Sequence, residues 1–401
     1  MTTMNQATIT QTPIAERSGN TERSEATLTP ENLAAARALI GVPLRRRGHH
    51  TLASRDLLVR YAKSIGCRNP LYTSLTHGLI NTYWANLLAH PSALFCMDDT
   101  IVAPKLAGIH ALYAGVTFEW NYPVRAGDTI TAAAKLISVE EKHGSFCGPM
   151  ALQTSEVVYT DQHGRVVATA TPRILRTPRP AARERGKYAG LSRYEYKPDE
   201  VDAIMRAYAQ EEVRGDKPRY WEEVNVGDVL PQVVKGPLTS EDMNLFMGNI
   251  GGTRYFRDFL SYWRRHPEGC FKDPETGMPD SWEASLLRDG VARMFGFPSA
   301  HDTGLQRVSW LDCLVTNWMG DLAFLRRLDV RMERPVIHGD TNWCRGTVIG
   351  KRWDESGRPL VDLEVSCVNQ SGVCTALGTA TVELVSHDVN VDPPCLVQPE
   401  R

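Results

Sequence analysis

The sequence predicts an α+β protein of two similar lobes, each with antiparallel strands able to wrap a helix. Three observations carry that prediction. The first is an internal repeat: Pro123-Val124-Arg125-Ala126-Gly127-Asp128-Thr129 returns 212 positions later as Pro335-Val336-Ile337-His338-Gly339-Asp340-Thr341. The second is period-two alternation ahead of each copy. Val116, Phe118, Trp120 and Tyr122 alternate with Thr117, Glu119 and Asn121, and Leu328, Val330 and Met332 alternate with Asp329, Arg331 and Glu333. An apolar residue at every second position marks a half-buried strand. The third lies between Gly304 and Trp318, where Leu305, Val308, Trp310, Leu311, Leu314, Val315 and Trp318 surround most of a helix. A helix that is apolar on nearly all sides is a buried one.

In chain order, residues 1–30 are rich in Thr, Glu, Ser and Asn, lack the apolar run of a secretory signal, and predict a disordered tail. The first lobe, residues 31–178, contains a helix capped by Ser54, with Asp56 in its first turn and Leu57, Leu58, Tyr61, Ala62 and Ile65 at helical spacing. Leu71 to Met97 contains no Asp, Glu, Lys or Arg, yet His77, Gly78, Asn81, Asn86, His90 and Pro91 interrupt it. It therefore reads as core and not as a membrane span. Strands follow and include a hairpin signal at Asp161-Gln162-His163-Gly164. Residues 179–216, dense in Arg, Pro, Lys and Glu, predict a linker with one helical piece near Val201 to Gln210.

The second lobe, residues 217–388, repeats the plan. Ser240-Glu241-Asp242 leads a helix carrying Met243, Phe246, Met247 and Ile250, and Asn369-Gln370-Ser371-Gly372 repeats the hairpin signal. Phe297-Pro298-Ser299-Ala300 echoes His90-Pro91-Ser92-Ala93. The helix starts at Ser54 and Ser240 are 186 apart against 212 at the Gly-Asp turns, so the second lobe carries 26 extra residues. Residues 254–290 are the expected insertion, a loop or lid. Residues 389–401 close the chain as a second tail.

Composition narrows the function. With 45 Lys and Arg against 47 Asp and Glu in 401 residues, the chain has no electrostatic footprint for nucleic acid. Its nine cysteines form no Cys-x-x-Cys pair, which predicts free thiols in a reducing compartment and a cytoplasmic location. No HExxH, Gly-x-Ser-x-Gly, P-loop or dinucleotide-binding glycine pattern occurs, so no metal or redox nucleotide is implied.

Several segments together resemble the MaoC-like, hydratase-2 type acyl-CoA dehydratases in their double hot-dog form. They are Tyr220-Trp221-Glu222-Glu223-Val224-Asn225-Val226-Gly227-Asp228, Cys67-Arg68-Asn69-Pro70-Leu71-Tyr72, Thr316-Asn317-Trp318-Met319-Gly320-Asp321 and the paired Pro-x-x-x-Gly-Asp turns. The resemblance spans residues 40 to 385 and implies two tandem hot-dog repeats, each an antiparallel sheet around a buried helix. It implies addition of water to a 2-enoyl thioester, or the reverse, with coenzyme A as part of the substrate and no separate cofactor. A bulky acyl group is expected, and so is a homodimer or a heteromer with another hot-dog chain. The alternatives are a non-catalytic partner subunit, an acyl-CoA-binding protein, or a thioesterase.

The family motif Gly-Asp-x-Asn-Pro-x-His supplies an Asp and a His. At those positions the first lobe has Cys67 and Tyr72, and the second has Gly252 and Arg257, so the standard dyad is absent from both. The replacement candidates lie at Ala300-His301-Asp302-Thr303-Gly304, where the buried helix begins. The resemblance places the thioester carbonyl on a backbone amide here, matched to Gly304, and free amides with the helix dipole suit developing negative charge. His301 is then an acid or base, or a satisfied pocket histidine; Asp302 is its partner, or simply the helix cap. Arg307 binds substrate or forms an internal salt bridge, and Trp310 joins the candidate binding residues. Arg254 and Arg257 meet coenzyme A phosphates or form a solvated face.

Overall fold

The computed structural model describes residues 27–46, 48–144, 148–178, 188, 191–252, 256–265, 267, 270–273, 276–294 and 296–388. The first lobe contains helices α1 (Pro30–Arg37), α2 (Arg55–Ser64) and α3 (Leu75–Asn81), a 3-10 helix at Pro91–Cys96, and strands β1 (Pro43–Leu44), β2 (His110–Trp120), β3 (Thr131–Gly144), β4 (Gly148–Thr160) and β5 (Val166–Thr177). Helix α4 (Pro198–Ala209) occupies the linker. The second lobe has β6 (Val233–Lys235), α5 (Ser240–Ile250), α6 (Phe256–Arg265), the hairpin β7 (Cys270–Lys272) and β8 (Pro279–Ser281), α7 (Asp289–Met294) and α8 (Gly304–Met319). Strands β9 (Phe324–Met332), β10 (Asn342–Trp353), β11 (Pro359–Asn369) and β12 (Cys374–Glu383) complete it.

Ten strands form one antiparallel sheet in the order β1-β3-β4-β5-β2-β9-β12-β11-β10-β6. Read inward from either edge, the two halves have the same order, which is the double hot-dog arrangement. The two alternating runs recognised in the sequence meet at the seam, where β2 pairs with β9. There Thr117 faces Asp329, its own counterpart 212 positions on, so a pseudo-dyad passes through that pair. Arg173 donates to both the Thr117 hydroxyl and the Asp329 carboxylate across it. At Gly115 on this seam φ is +148°, and a Cβ there would lie 2.2 Å from the Val330 carbonyl oxygen. Only glycine lets the two strands approach this closely.

The repeated turns are built by one device. Asp128 accepts from the Arg125 amide and Asp340 from the Ile337 amide, while Gly127 and Gly339 take φ of +101° and +96°. A carboxylate closing onto an amide three residues back, followed through a left-handed glycine, explains the Gly-Asp signature. In both hairpins the first side chain does similar work: Asp161 accepts from the His163 and Arg165 amides, Asn369 from those of Ser371 and Val373.

All sixteen residues of α8 are buried, and the sheet wraps it as its apolar circumference predicts. Its first-lobe counterpart is the six-residue 3-10 helix at Pro91–Cys96. Equivalent backbone pairings fix the match: Leu88 bridges Arg125 as His301 bridges Ile337, and the Ala89 amide bonds Val124 as the Asp302 amide bonds Val336. His90 therefore corresponds to Thr303, each the N-cap of its helix, and not to Phe297 as the Pro-Ser-Ala echo suggests. A second correction concerns α5, whose N-cap is Thr239 and not Ser240: its hydroxyl accepts from the Asp242 amide, and the Asp242 side chain returns the bond.

Among the described residues of the insertion, α6 and the β7–β8 hairpin lead to a 3-10 helix at Trp282–Leu286 and to α7. Val291, Ala292, Phe271, Phe297 and Tyr188 form a small core that holds this cover down. The described part of the tail expected at residues 1–30 begins at Thr27, and residues 389–401 lie outside the described residues. The stretch Leu71 to Met97 contains all of α3 and of the 3-10 helix at Pro91–Cys96 and lies largely in the main core. No described helix is long and apolar enough to cross a membrane.

Candidate active site at the start of the buried helix

Thr303 enters α8 in extended conformation, and its side chain caps no first-turn amide. The helix N-terminus is thus free of the usual hydroxyl cap, which leaves its amides and dipole for another acceptor. Gly304 follows. A Cβ here would come within 3.0 Å of the Tyr113 ring and 3.3 Å of Met332 Cγ, so residues from β2 and β9 close over the helix start.

His301 is 8 % exposed and stacks on Phe297 at 4.1 Å between centroids. Its Nδ1 lies 2.8 Å from the Asp302 carbonyl oxygen, which can only accept; Nδ1 carries the proton and Nε2 presents a lone pair. That Nε2 is buried and has no hydrogen-bond partner among the described residues. Burial, and less strongly the Arg307 and His338 charges, push the His301 pKa below the ordinary imidazole value against the pull of Asp302. His338, from the repeated turn, is its near neighbour. It too has a buried Nε2 with no partner among the described residues and a lowered pKa, with burial the chief cause and Asp289 opposing. Asp289, at the start of α7, accepts from the Ala300 amide at 2.9 Å and from Ser299 and Arg193, tying the cover to the loop before α8.

Asp302 is not the helix cap. Its carboxylate receives Arg307 Nε at 2.6 Å and the Val336 amide at 3.2 Å, with both side chains almost wholly buried. Arg307 also donates to the Arg334 and Thr375 carbonyls, so its guanidinium is engaged within the fold and is not presented to a substrate anion. A carboxylate and a guanidinium five residues apart pair because the chain turns into the helix between them. Trp310, expected among the binding residues, lies in the main core. Arg254 lies outside the described residues, and although Arg257 falls in α6, its side chain is outside them as well. The structure therefore gathers His301, Asp302, Gly304 and Arg307 at one helix end, leaves Trp310 in the core, and adds His338, Asp289 and Arg193. His338 stands inside the repeated turn, where the first copy has Ala126; that departure within a repeat was the available signal.

The equivalent place in the first lobe is different in kind. A narrow, mostly apolar cavity of ≈ 30 Å³ lies there between Tyr72, Trp84, His90, Leu94, Trp120 and Phe324, among others. His90 is fully buried, with Nδ1 2.9 Å from Asp312 of α8.

Residues 38–170 match the family model of the FAS1-like dehydratase domain region. A solved structure described as a MaoC-like dehydratase is 16 % identical, with a TM-score of 0.62 over 87 % of this chain and 99 % of that one. A MaoC domain dehydratase of Chloroflexus aurantiacus is 14 % identical, with a TM-score of 0.51 over 86 % and 95 %. A Mycobacterium tuberculosis protein described as having a double hot-dog fold is 14 % identical, with a TM-score of 0.49 over 84 % and 93 %. No curated protein matches the sequence. Two lobes in one sheet around a buried helix, with the segment that matches the family model in the first of them, give this chain the double hot-dog fold seen in MaoC-like dehydratases.

Proposed function

We propose that the protein is a hydro-lyase that adds water to a 2-enoyl thioester or removes it from a 3-hydroxyacyl thioester, with coenzyme A as the carrier and a bulky acyl group. The observation that carries this reading is the unpaired Nε2 of His301 beside an uncapped helix N-terminus. In the hydration direction, Nε2 takes a proton from water as the water oxygen bonds to C3. The electron pair of the double bond moves toward the thioester oxygen, where the Gly304 amide and the helix dipole stabilise the enolate. Transfer of that proton from the His301 imidazolium to C2 completes the addition and returns His301 to its neutral form. A lowered imidazole pKa keeps His301 neutral near pH 7, the state a general base needs. Asp302 acts by position: its pairing with Arg307 and the Val336 amide fixes the loop that carries His301. The cover packs on Phe297, which itself stacks on His301, and so shields this helix start from bulk solvent.

The test is turnover of a panel of enoyl-CoA and 3-hydroxyacyl-CoA thioesters, followed by ultraviolet enoyl absorbance and by free thiol. His301→Gln is expected to lower kcat/KM about 10²–10⁴-fold with the fold retained. Thiol release without change in the enoyl chromophore would make the protein a thioesterase. Replacement of both family dyads, by Cys67 and Tyr72 and by Gly252 and Arg257, favours a non-catalytic partner subunit as the second reading. Absence of any turnover by the folded wild type would establish it over the first.

A further inference from the structure

We propose that Cys67, His90 and Cys313 form a site for a soft divalent cation of the zinc class, at the junction of the two lobes and separate from the His301 site. Cys67 follows α2, His90 caps the first-lobe 3-10 helix, and Cys313 sits midway along α8. All three are buried, and their Sγ, Nε2 and Sγ atoms lie within 4.8 Å of one another. Tetrahedral zinc with its ordinary bond lengths sets neighbouring sulfur and nitrogen ligands roughly 3.5–3.8 Å apart. The His90 Nε2 to Cys313 Sγ distance of 3.6 Å already has that value.

A second observation is the setting of His90. Asp312 Oδ2 lies 2.9 Å from Nδ1 and is itself held by the Ser92 amide at 2.8 Å. A carboxylate that fixes Nδ1–H leaves Nε2 as the ligand atom and aims it at the two sulfurs, the usual outer support of a zinc-bound histidine. Charge is the third. Lys235 is 4 % exposed, donates to the Ile65 and Gly66 carbonyls, and forms no ion pair with a carboxylate among the described residues. Two thiolates balance a divalent cation, so filling the site leaves the opposite charges of Asp312 and Lys235 in place and adds no net charge to the interior. Thr316 Oγ1, 3.4 Å from Nε2, borders the remaining coordination position. The competing occupant of Nε2 is a proton, which would make His90 an imidazolium paired with Asp312. No spacing in the sequence announces the set, because the ligands stand at positions 67, 90 and 313.

The experiment uses the full chain with reduced thiols, dialysed against zinc or cobalt(II) and then freed of loose metal. One equivalent per chain is expected, with a thiolate-to-cobalt charge-transfer band and the strong visible bands of tetrahedral cobalt. Cys67→Ser and Cys313→Ser should abolish both signals, and Asp312→Asn should weaken zinc binding about 10–100-fold while the band persists. A thiol-titration arm covers the case in which the serine variants do not fold: zinc should protect two cysteines of the wild type from a disulfide reagent. Less than about a tenth of an equivalent bound by folded, reduced wild type, or cobalt bound without the sulfur band, would overturn the proposal. Loss of the hydro-lyase reading leaves these readouts unchanged, since none of them measures turnover.

Discussion

At the start of α8, His301 keeps Nε2 unpaired beneath the cover of the second lobe, whereas at the equivalent helix start of the first lobe His90 is bound on one side to Asp312 and faces Cys313 on the other. The repeat makes these places equivalent, and helix length makes them different. Asp312 lies eight residues into α8, roughly 12 Å along its axis, far enough for it to reach across to the first lobe. The first-lobe counterpart is a six-residue 3-10 helix that extends no comparable carboxylate to His301. A repeated fold is thus asymmetric through one helix: the lobe with the long helix has an imidazole whose Nε2 is unpaired among the described residues, and the lobe with the short one has an imidazole held by Asp312.

The largest way to break this contrast is Arg307→Met, which leaves the Asp302 carboxylate buried without its cation. A loss of about 3–5 kcal/mol in unfolding free energy is expected, read from urea denaturation, with Arg307→Lys recovering part of it. Wild-type stability accompanied by a raised KM would instead return Arg307 to the substrate, as the sequence reading allowed. Smaller, and aimed at the seam that relates the lobes, is Gly115→Ala. Its Cβ meets the Val330 carbonyl at 2.2 Å, so the β2–β9 pair must shift at a cost of about 1–3 kcal/mol. An unchanged thermal midpoint would show that the seam is not tightly constrained there.

The smallest effect sharpens the contrast between the imidazoles. Both His301 and His338 have pKa values lowered in the folded protein, chiefly by burial, so the unfolded chain binds protons that the folded one refuses. Their stabilisation is complete above the unfolded value of about 6.5 and is lost as pH falls through their folded values. Between pH 7 and 5 each should add a slope of at most about 1.4 kcal/mol per unit. The double variant His301→Gln, His338→Gln should flatten that slope in denaturation series, and an unaltered slope would mean that neither is held neutral.

Much of the fold was legible in the chain. Alternation at Val116 to Tyr122 and Leu328 to Met332 identified the two seam strands, because a sheet with one buried face repeats every two residues. The circumference of α8 identified a buried helix for the same kind of reason. The repeat failed at His90-Pro91-Ser92-Ala93, where matching of residue types preferred Phe297 to Ala300 although backbone pairing sets His90 opposite Thr303. Of the site, the local cluster from His301 to Gly304 was visible, since a helix start is a local event. The pairing of Asp302 with Arg307 was not, because it depends on how the chain turns into α8.

By itself the sequence determined the duplication, the strands, the buried helix and the absence of the Gly-Asp-x-Asn-Pro-x-His pattern, all of which are written in periodicity and residue type within short windows. Only the tertiary structure decided which groups are free to act. Whether His301 or His90 has an open nitrogen, whether Arg307 is occupied, and whether Cys67 meets Cys313 depend on partners tens to hundreds of residues away. Those partners are set by how one helix lies between two lobes, and burial then makes each paired or unpaired polar atom count.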